Sequence, residues 1–267
     1  MFQRMVSGAV FAGCAAGLIA ALLHFWFVQP LILAGEQFES GERVHFAAPA
    51  GHAHDHGTAA DAAAEGAADG AAVAQAAPDA EAEAGHDHSA HEHGTAGHGT
   101  GPDIKRDLLT VAFTVLIYVA YAFILVAGFG AATAMGQRVG PLQGLLWGLG
   151  GYAAFQLAPA LGLPPELPGS VAADLGARQV WWWATAGLTA AGFLLLGYGR
   201  KPWAFVLAGA ALALPHVIGA PTLGDYFGVA PPELAAAFAA RVLGVGLLAW
   251  AALGWIAGHF WSRGDGV

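Results

Sequence analysis

Six long apolar runs constrain this chain more than any other feature. They cover about 6–30, 108–133, 141–161, 181–198, 203–220 and 235–260. A helix needs about 20 mostly apolar residues to cross a hydrocarbon core of roughly 30 Å. The fourth and fifth runs are short and are separated only by Gly199, Arg200, Lys201 and Pro202, which predicts a tight helical hairpin. A large soluble helical protein would need a charged stripe on each helix for water to meet. Charged residues are only 11% of the chain and apolar residues 57%, whereas a soluble domain carries about 25% charged residues. The expected fold class is an all-α integral membrane protein with about six transmembrane helices and a long loop between the first two. Helix 1 falls in 1–33, an outward-facing loop in 34–107, and helices 2–6 in 108–267.

The charge is segregated in the same way. Residues 34–107 hold 14 of the 19 acids and 3 of the 10 bases, leaving the rest of the chain nearly uncharged. A nucleic-acid binder would be basic, so that class is excluded. With an even number of spans both termini share one side, together with Arg4, Arg138, Arg200, Lys201 and Arg263. Bases concentrate on the cytoplasmic side of short loops. The expected placement is therefore the inner membrane of a bacterium, with cytoplasmic termini and a periplasmic loop. One cysteine, Cys14, excludes an internal disulfide framework and any multi-cysteine metal site. Phe11-Ala12-Gly13-Cys14 loosely resembles a lipoprotein cleavage box, but apolar sequence continues to Leu33, so Cys14 is read as a small helix residue.

Between 47 and 103 the loop is mainly Ala, Gly, His, Asp and Glu. That composition buries too little apolar surface to offset ordering entropy, which predicts disorder. It contains His52, His54 and His56, then His86, His88, His91, His93 and His98, with Asp55, Asp87 and Glu92 interleaved. Nine of the twelve histidines lie between 45 and 98, too concentrated for drift in a spacer. Neutral imidazole is the commonest protein metal ligand and suits zinc, copper and nickel. A flexible chain can wrap several such groups around one ion. Transporters, sensors, chaperones and metal buffers all use this composition.

Glycines recur at four-residue spacing in the spans: Gly13 and Gly17; Gly140, Gly144 and Gly148; Gly254 and Gly258. Such spacing lets helix backbones approach closely in lipid. Trp181, Trp182 and Trp183 open the fourth span, and Trp255 and Trp261 close the sixth, the pattern of an interfacial aromatic belt.

Polar residues inside the spans point to function. His24 shares a helix face with Ala20, Gly17 and Gly13, and His216 shares one with Ala213 and Gly209, so both are expected on packing faces. They are candidate metal ligands, with a hydrogen-bonded packing role as the alternative. Three proline motifs fall on the outer side. The first is Gln29-Pro30, followed by Glu36. The second is Gln156 and Pro159, followed by Leu163-Pro164-Pro165-Glu166-Leu167-Pro168-Gly169. The third is Pro215-His216 followed by Ala220-Pro221, with Pro231-Pro232-Glu233-Leu234 opening the last span. Proline frees backbone carbonyls, and such carbonyls can coordinate cations. A shallow outward-facing cation pocket of Gln29, Glu36, Gln156, Glu166 and Glu233 is the expectation, set against simple helix termination and, for Glu233, pairing with the helix dipole. No glycine-rich phosphate loop precedes either lysine, Lys105 or Lys201. No nucleophile–base pair or carboxylate dyad appears in the spans, so an enzyme is not expected.

Several strings resemble CbtA, a family of probable cobalt transporter subunits. They are VQPLILAGEQFE (28–39), LAPALGLPPELPG (157–169), DLGARQVWW (174–182), LPHVIGAP (214–221) and APPELAAAF (230–238). The resemblance implies cobalt uptake, linked to cobalamin synthesis. It also implies a partner, a small single-span His-bearing CbtB-like subunit, with membrane lipid around both. The transported ion would be Co²⁺ (or Ni²⁺), with no tightly bound cofactor. Phe38 stands where the family pattern suggests Tyr, and Arg241 where it suggests a small or hydroxyl residue. Nickel or cobalt efflux, and a non-transporting metal sensor or chaperone, are the alternatives.

Overall fold

All six apolar runs fold as helical rods, in the expected order. The computed structural model describes residues 2–45, 103–224 and 228–264. The eight loop histidines from His52 to His98, and the disorder expected around them, lie outside the described residues. The first rod is α1 (Phe2–Leu23), a π-helical turn π1 (His24–Val28) and α2 (Gln29–Glu39) in series. The second is α3 (Ile104–Ala134). The third is α4 (Pro141–Tyr152), a second π turn π2 (Ala153–Leu157) and α5 (Ala158–Ala160). Helices α6 (Leu175–Tyr198), α7 (Pro202–Ile218) and α8 (Pro232–Gly264) complete the described fold, which contains no strand. Four rods are long and apolar enough to cross a membrane: Met5–Glu39, Ile104–Ala134, Leu175–Tyr198 and Pro232–Arg263. Pro202–Ile218 is a shorter apolar helix.

Helix ends follow local chemistry. Asp103 Oδ1 accepts from the backbone N–H of Lys105 and Arg106 and so starts α3 ahead of its apolar run. Asp174 Oδ1 accepts from the N–H of Ala177 at 2.8 Å and starts α6. Proline opens α4, α7 and α8, where its missing N–H removes no helical bond. Nothing breaks the helix between 31 and 39, so α2 runs past the apolar stretch and carries Glu36 on its surface.

The glycine spacing acts as expected. A Cβ on Gly148 would lie 2.9 Å from Gly254 Cα, and one on Gly144 would lie 2.7 Å from Gly258 Cα, so α4 and α8 touch backbone to backbone. Likewise a Cβ on Gly17 would sit 2.6 Å from Val115 Cα, joining α1 to α3. Close approach replaces the hydrophobic drive that lipid removes. Large rings fill the space between the seams. Trp250 is fully buried, centred 4.5 Å from Tyr121 and stacked on Phe155 at 5.9 Å.

Two expectations need correction. Trp181 and Trp261 are buried among other helices and do not present their rings outward as belt residues do. Trp181 packs at Gly162, and Trp261 packs edge-on against Phe129 at 5.8 Å. Glycine leaves the room that these rings take. The small-residue face of α7 also differs: Gly209, Ala213 and His216 are exposed, and Ala204, Ala208 and Pro215 make the packed face against α6. A stripe of small residues permits close packing but does not decide which of two such stripes is used.

At one end of the bundle a second small core forms from Val28, Leu167 and Phe238, flanked by Leu31, Ile32, Leu234 and Val242. Leu167 of the first Pro-Pro-Glu-Leu string is 3% exposed. Ser170 pairs with Gly228, and Gly169, at φ 76°, lies against Val229 and Glu39. The tail of α2, the 161–174 loop and the entry to α8 therefore meet here, which positions the candidate site.

Candidate metal-ion site

The two π turns share one cause. In the first, the N–H of Gln29 bonds His24 O, five residues back, and the next residue is Pro30. In the second, the N–H of Ala158 bonds Ala153 O, and the next residue is Pro159. A proline ring clashes with the carbonyl four residues back and supplies no donor. Widening the turn relieves the clash, and it leaves Phe25 O and Ala154 O without the donors an α-helix would bring from those two positions. Single π turns of this kind are frequent at functional sites. Both contact α8.

Their surroundings differ. At π1 the polar groups are tied together. Gln29 Nε2 donates to Asp107 Oδ1 at 3.3 Å, and Arg106 lies 3.8 Å from Asp107 and 4.0 Å from Glu36. Arg241, reaching from α8, donates through Nη1 to Phe27 O at 3.1 Å. Gln29 Oε1 is buried without a hydrogen-bond partner. His24 opens the turn half-buried, its ring edge-on to Phe25 at 6.0 Å.

At π2 the glutamine borders a cavity. Gln156 projects from the turn against Gly246 of α8, with its Oε1 buried and unpartnered. A pocket of about 400 Å³ opens beside it. Its walls include Phe155, Pro159, Trp182 and Trp183, with Val242 and Leu243 from α8. Glu166 and Arg178 line it too, joined by a 2.8 Å bond from Arg178 Nη2 to Glu166 Oε2. An unpaired amide oxygen is expensive to bury, and a carboxylate in the same pocket adds negative field.

Of the residues singled out in the sequence, Gln156 and Glu166 come together in the pocket, while Gln29 and Glu36 join through Arg106 and Asp107. Glu233 is exposed in the first turn of α8. His216 is exposed near the end of α7, its ring edge-on to Trp181 at 6.2 Å. Trp181 Nε1 instead donates to Pro215 O at 3.1 Å. Neither histidine is joined to two other ligands: no cluster of three or more His, Cys, Asp or Glu able to hold a metal ion occurs among the described residues. Sequence reasoning passed over Arg178, Asp107 and Arg241 as site residues. Arg178 lies inside DLGARQVWW, a base beside a tryptophan run, and that was the available signal.

The family model for CbtA, the probable cobalt transporter subunit, matches residues 2–262. The chain belongs to that family. No curated protein and no solved structure matches it. This CbtA chain is thus a cobalt transporter subunit of a multi-pass helical kind, and membership of such an assembly implies a partner.

Proposed function

We propose that this CbtA chain takes up Co²⁺ and that the π2 pocket is where the ion first sheds water on its way through the membrane. The observation that carries this reading is a pocket lined by both Glu166 and Gln156, the glutamine having a buried Oε1 with no hydrogen-bond partner that a small rotation of the side chain could turn toward an ion. Binding there by two oxygens is weak enough for release inward, as conduction requires. All six rods span the membrane in this reading, with the termini cytoplasmic and the His-rich segment 34–107 periplasmic. The histidines His52, His54, His56, His86, His88, His91, His93 and His98 capture ions and raise their concentration at the mouth. A small single-span His-bearing subunit completes the transporter and supplies His ligands that the described residues do not cluster. The metal is cargo, no resident cofactor is required, and no catalysis is assigned.

The test is cell-associated metal by mass spectrometry, with the chain and its small partner expressed under trace Co, Ni, Zn and Cu supplied together. Selective Co accumulation that is lost in Gln156→Leu supports the reading. Lower Co than in control cells makes the chain an exporter. Unchanged metal in cells that contain both subunits in the membrane sinks transport and leaves a sensor or chaperone.

A further inference from the structure

The oxygens that a cation could use at this end of the bundle are repeatedly held by a guanidinium. Arg106 lies against Glu36 and Asp107, Arg241 holds Phe27 O, and Arg178 holds Glu166. The last case is the informative one, because Arg178 and Glu166 both line the pocket that Gln156 also borders. We propose that Arg178 is a built-in competitor for the ion: its guanidinium sits on the carboxylate that the metal needs, and a divalent cation enters by displacing it. The proposal rests on the pocket reading above and adds a charge filter to it.

The backbone of Arg178 is fixed while its head is free to leave. It lies in the first turn of α6, which Asp174 anchors by accepting from Ala177 N, and the N–H of Arg178 itself bonds Asp174 O at 3.1 Å. The long stem lies along the pocket wall and the side chain is partly exposed, so the guanidinium can swing into water without moving the helix. A metal ion bound beside a still-paired arginine would place three positive charges around one carboxylate, and like charges at such distances repel strongly outside bulk water. Metal and guanidinium are therefore alternative occupants of Glu166. A partly exposed ion pair is weak, so a dication at Glu166 and Gln156 can replace it. A monovalent cation has half the charge with which to attract the same carboxylate and does not displace it. Arg178 is a positioning and selectivity residue, not a ligand.

The experiment titrates CoCl₂ by calorimetry into the full chain in nanodiscs, with the eight loop histidines from His52 to His98 replaced by alanine so that only the membrane body reports. In that background Arg178→Gln is expected to tighten Co²⁺ binding by about two- to fivefold, the range a partly exposed ion pair can contribute. Arg178→Lys, which keeps the charge, stays near the parent. Glu166→Gln weakens binding, and adding Arg178→Gln to it brings no further change. Arg178→Met keeps the stem packing and gives the same tightening if the glutamine variant does not fold. The parent is expected to show little competition from 100-fold excess K⁺, and Arg178→Gln to show more. Binding that is unchanged or weaker in both neutral variants, or tightening that persists without Glu166, overturns the competitor role while leaving the pocket standing, provided Glu166→Gln and Gln156→Leu weaken binding. If those two variants also bind like the parent, the pocket reading fails and this one fails with it.

Discussion

The two π turns are the same local device put to different use. Each arises because a proline follows the turn, at Pro30 and at Pro159. Each presents a glutamine with a buried Oε1 that has no partner. At π1, charged neighbours bind the surroundings together: Arg241 takes Phe27 O, and Asp107 takes the Gln29 amide. At π2 the glutamine backs onto a glycine and borders a cavity. A widened turn therefore creates the opportunity for a site, and the neighbouring helices decide whether that opportunity is filled by the protein or left for a ligand.

Substituting the two glutamines breaks the comparison most directly. Gln156→Leu is expected to lower Co²⁺ uptake by on the order of tenfold or more, the consequence of losing one well-placed buried polar partner. It should leave thermal stability unchanged or raised, because an unsatisfied buried oxygen disappears. Gln29→Leu should lower uptake less than Gln156→Leu; equal losses in metal-accumulation assays would mean that both turns serve the ion path. The glycine behind the pocket comes next. A Cβ on Gly246 would sit 2.8 Å from Gln156 Cδ, so Gly246→Ala should push the amide out of place. Overpacking of this kind costs about 1–3 kcal/mol, and uptake should fall severalfold while the protein remains monodisperse. Uptake at the parental level would mean that the position of the amide is irrelevant.

Smaller effects sharpen the contrast from the other side. Arg241→Gln should lower unfolding stability by about 1 kcal/mol through loss of the bond to Phe27 O, measured by denaturant unfolding in mild detergent. Loss of uptake without loss of stability would move Arg241 from the scaffold into the ion path. His216→Ala should change stability by no more than about 0.5 kcal/mol, as for other surface positions. Its effect on uptake reports whether an exposed histidine joins the site through a partner subunit.

Much of this arrangement was legible before any tertiary information. The rods follow from apolar length, and glycines four residues apart marked the faces on which α1, α4 and α8 pack closely, though not their partner helices, since only glycine lets backbones meet. The prolines marked where helix hydrogen bonding is interrupted, but not how the helix responds: the turns before Pro30 and Pro159 widen, whereas Pro215 stays inside α7. The two Pro-Pro-Glu-Leu strings show where local sequence stops informing. In the second, Pro231 O accepts from Leu234 and Ala235 N–H and the string opens α8. In the first, the chain is non-helical and Leu167 is driven into a core between α2 and α8. Four identical residues carry no information about which neighbours will surround them.

Sequence by itself thus determined the material of this protein: a helical membrane body, an acidic histidine-rich segment, glycine faces for close packing and prolines that interrupt helix bonding. Each of these depends on residues close together in the chain, through helix length, side-chain volume or a missing N–H. Tertiary structure decided which tryptophans became core, which face of α7 packs, and which carboxylate meets which arginine. Glu166 and Arg178 are twelve residues apart and Arg241 and Phe27 are 214 apart. Pairings of that kind depend on how rods cross in space, which no local spacing encodes.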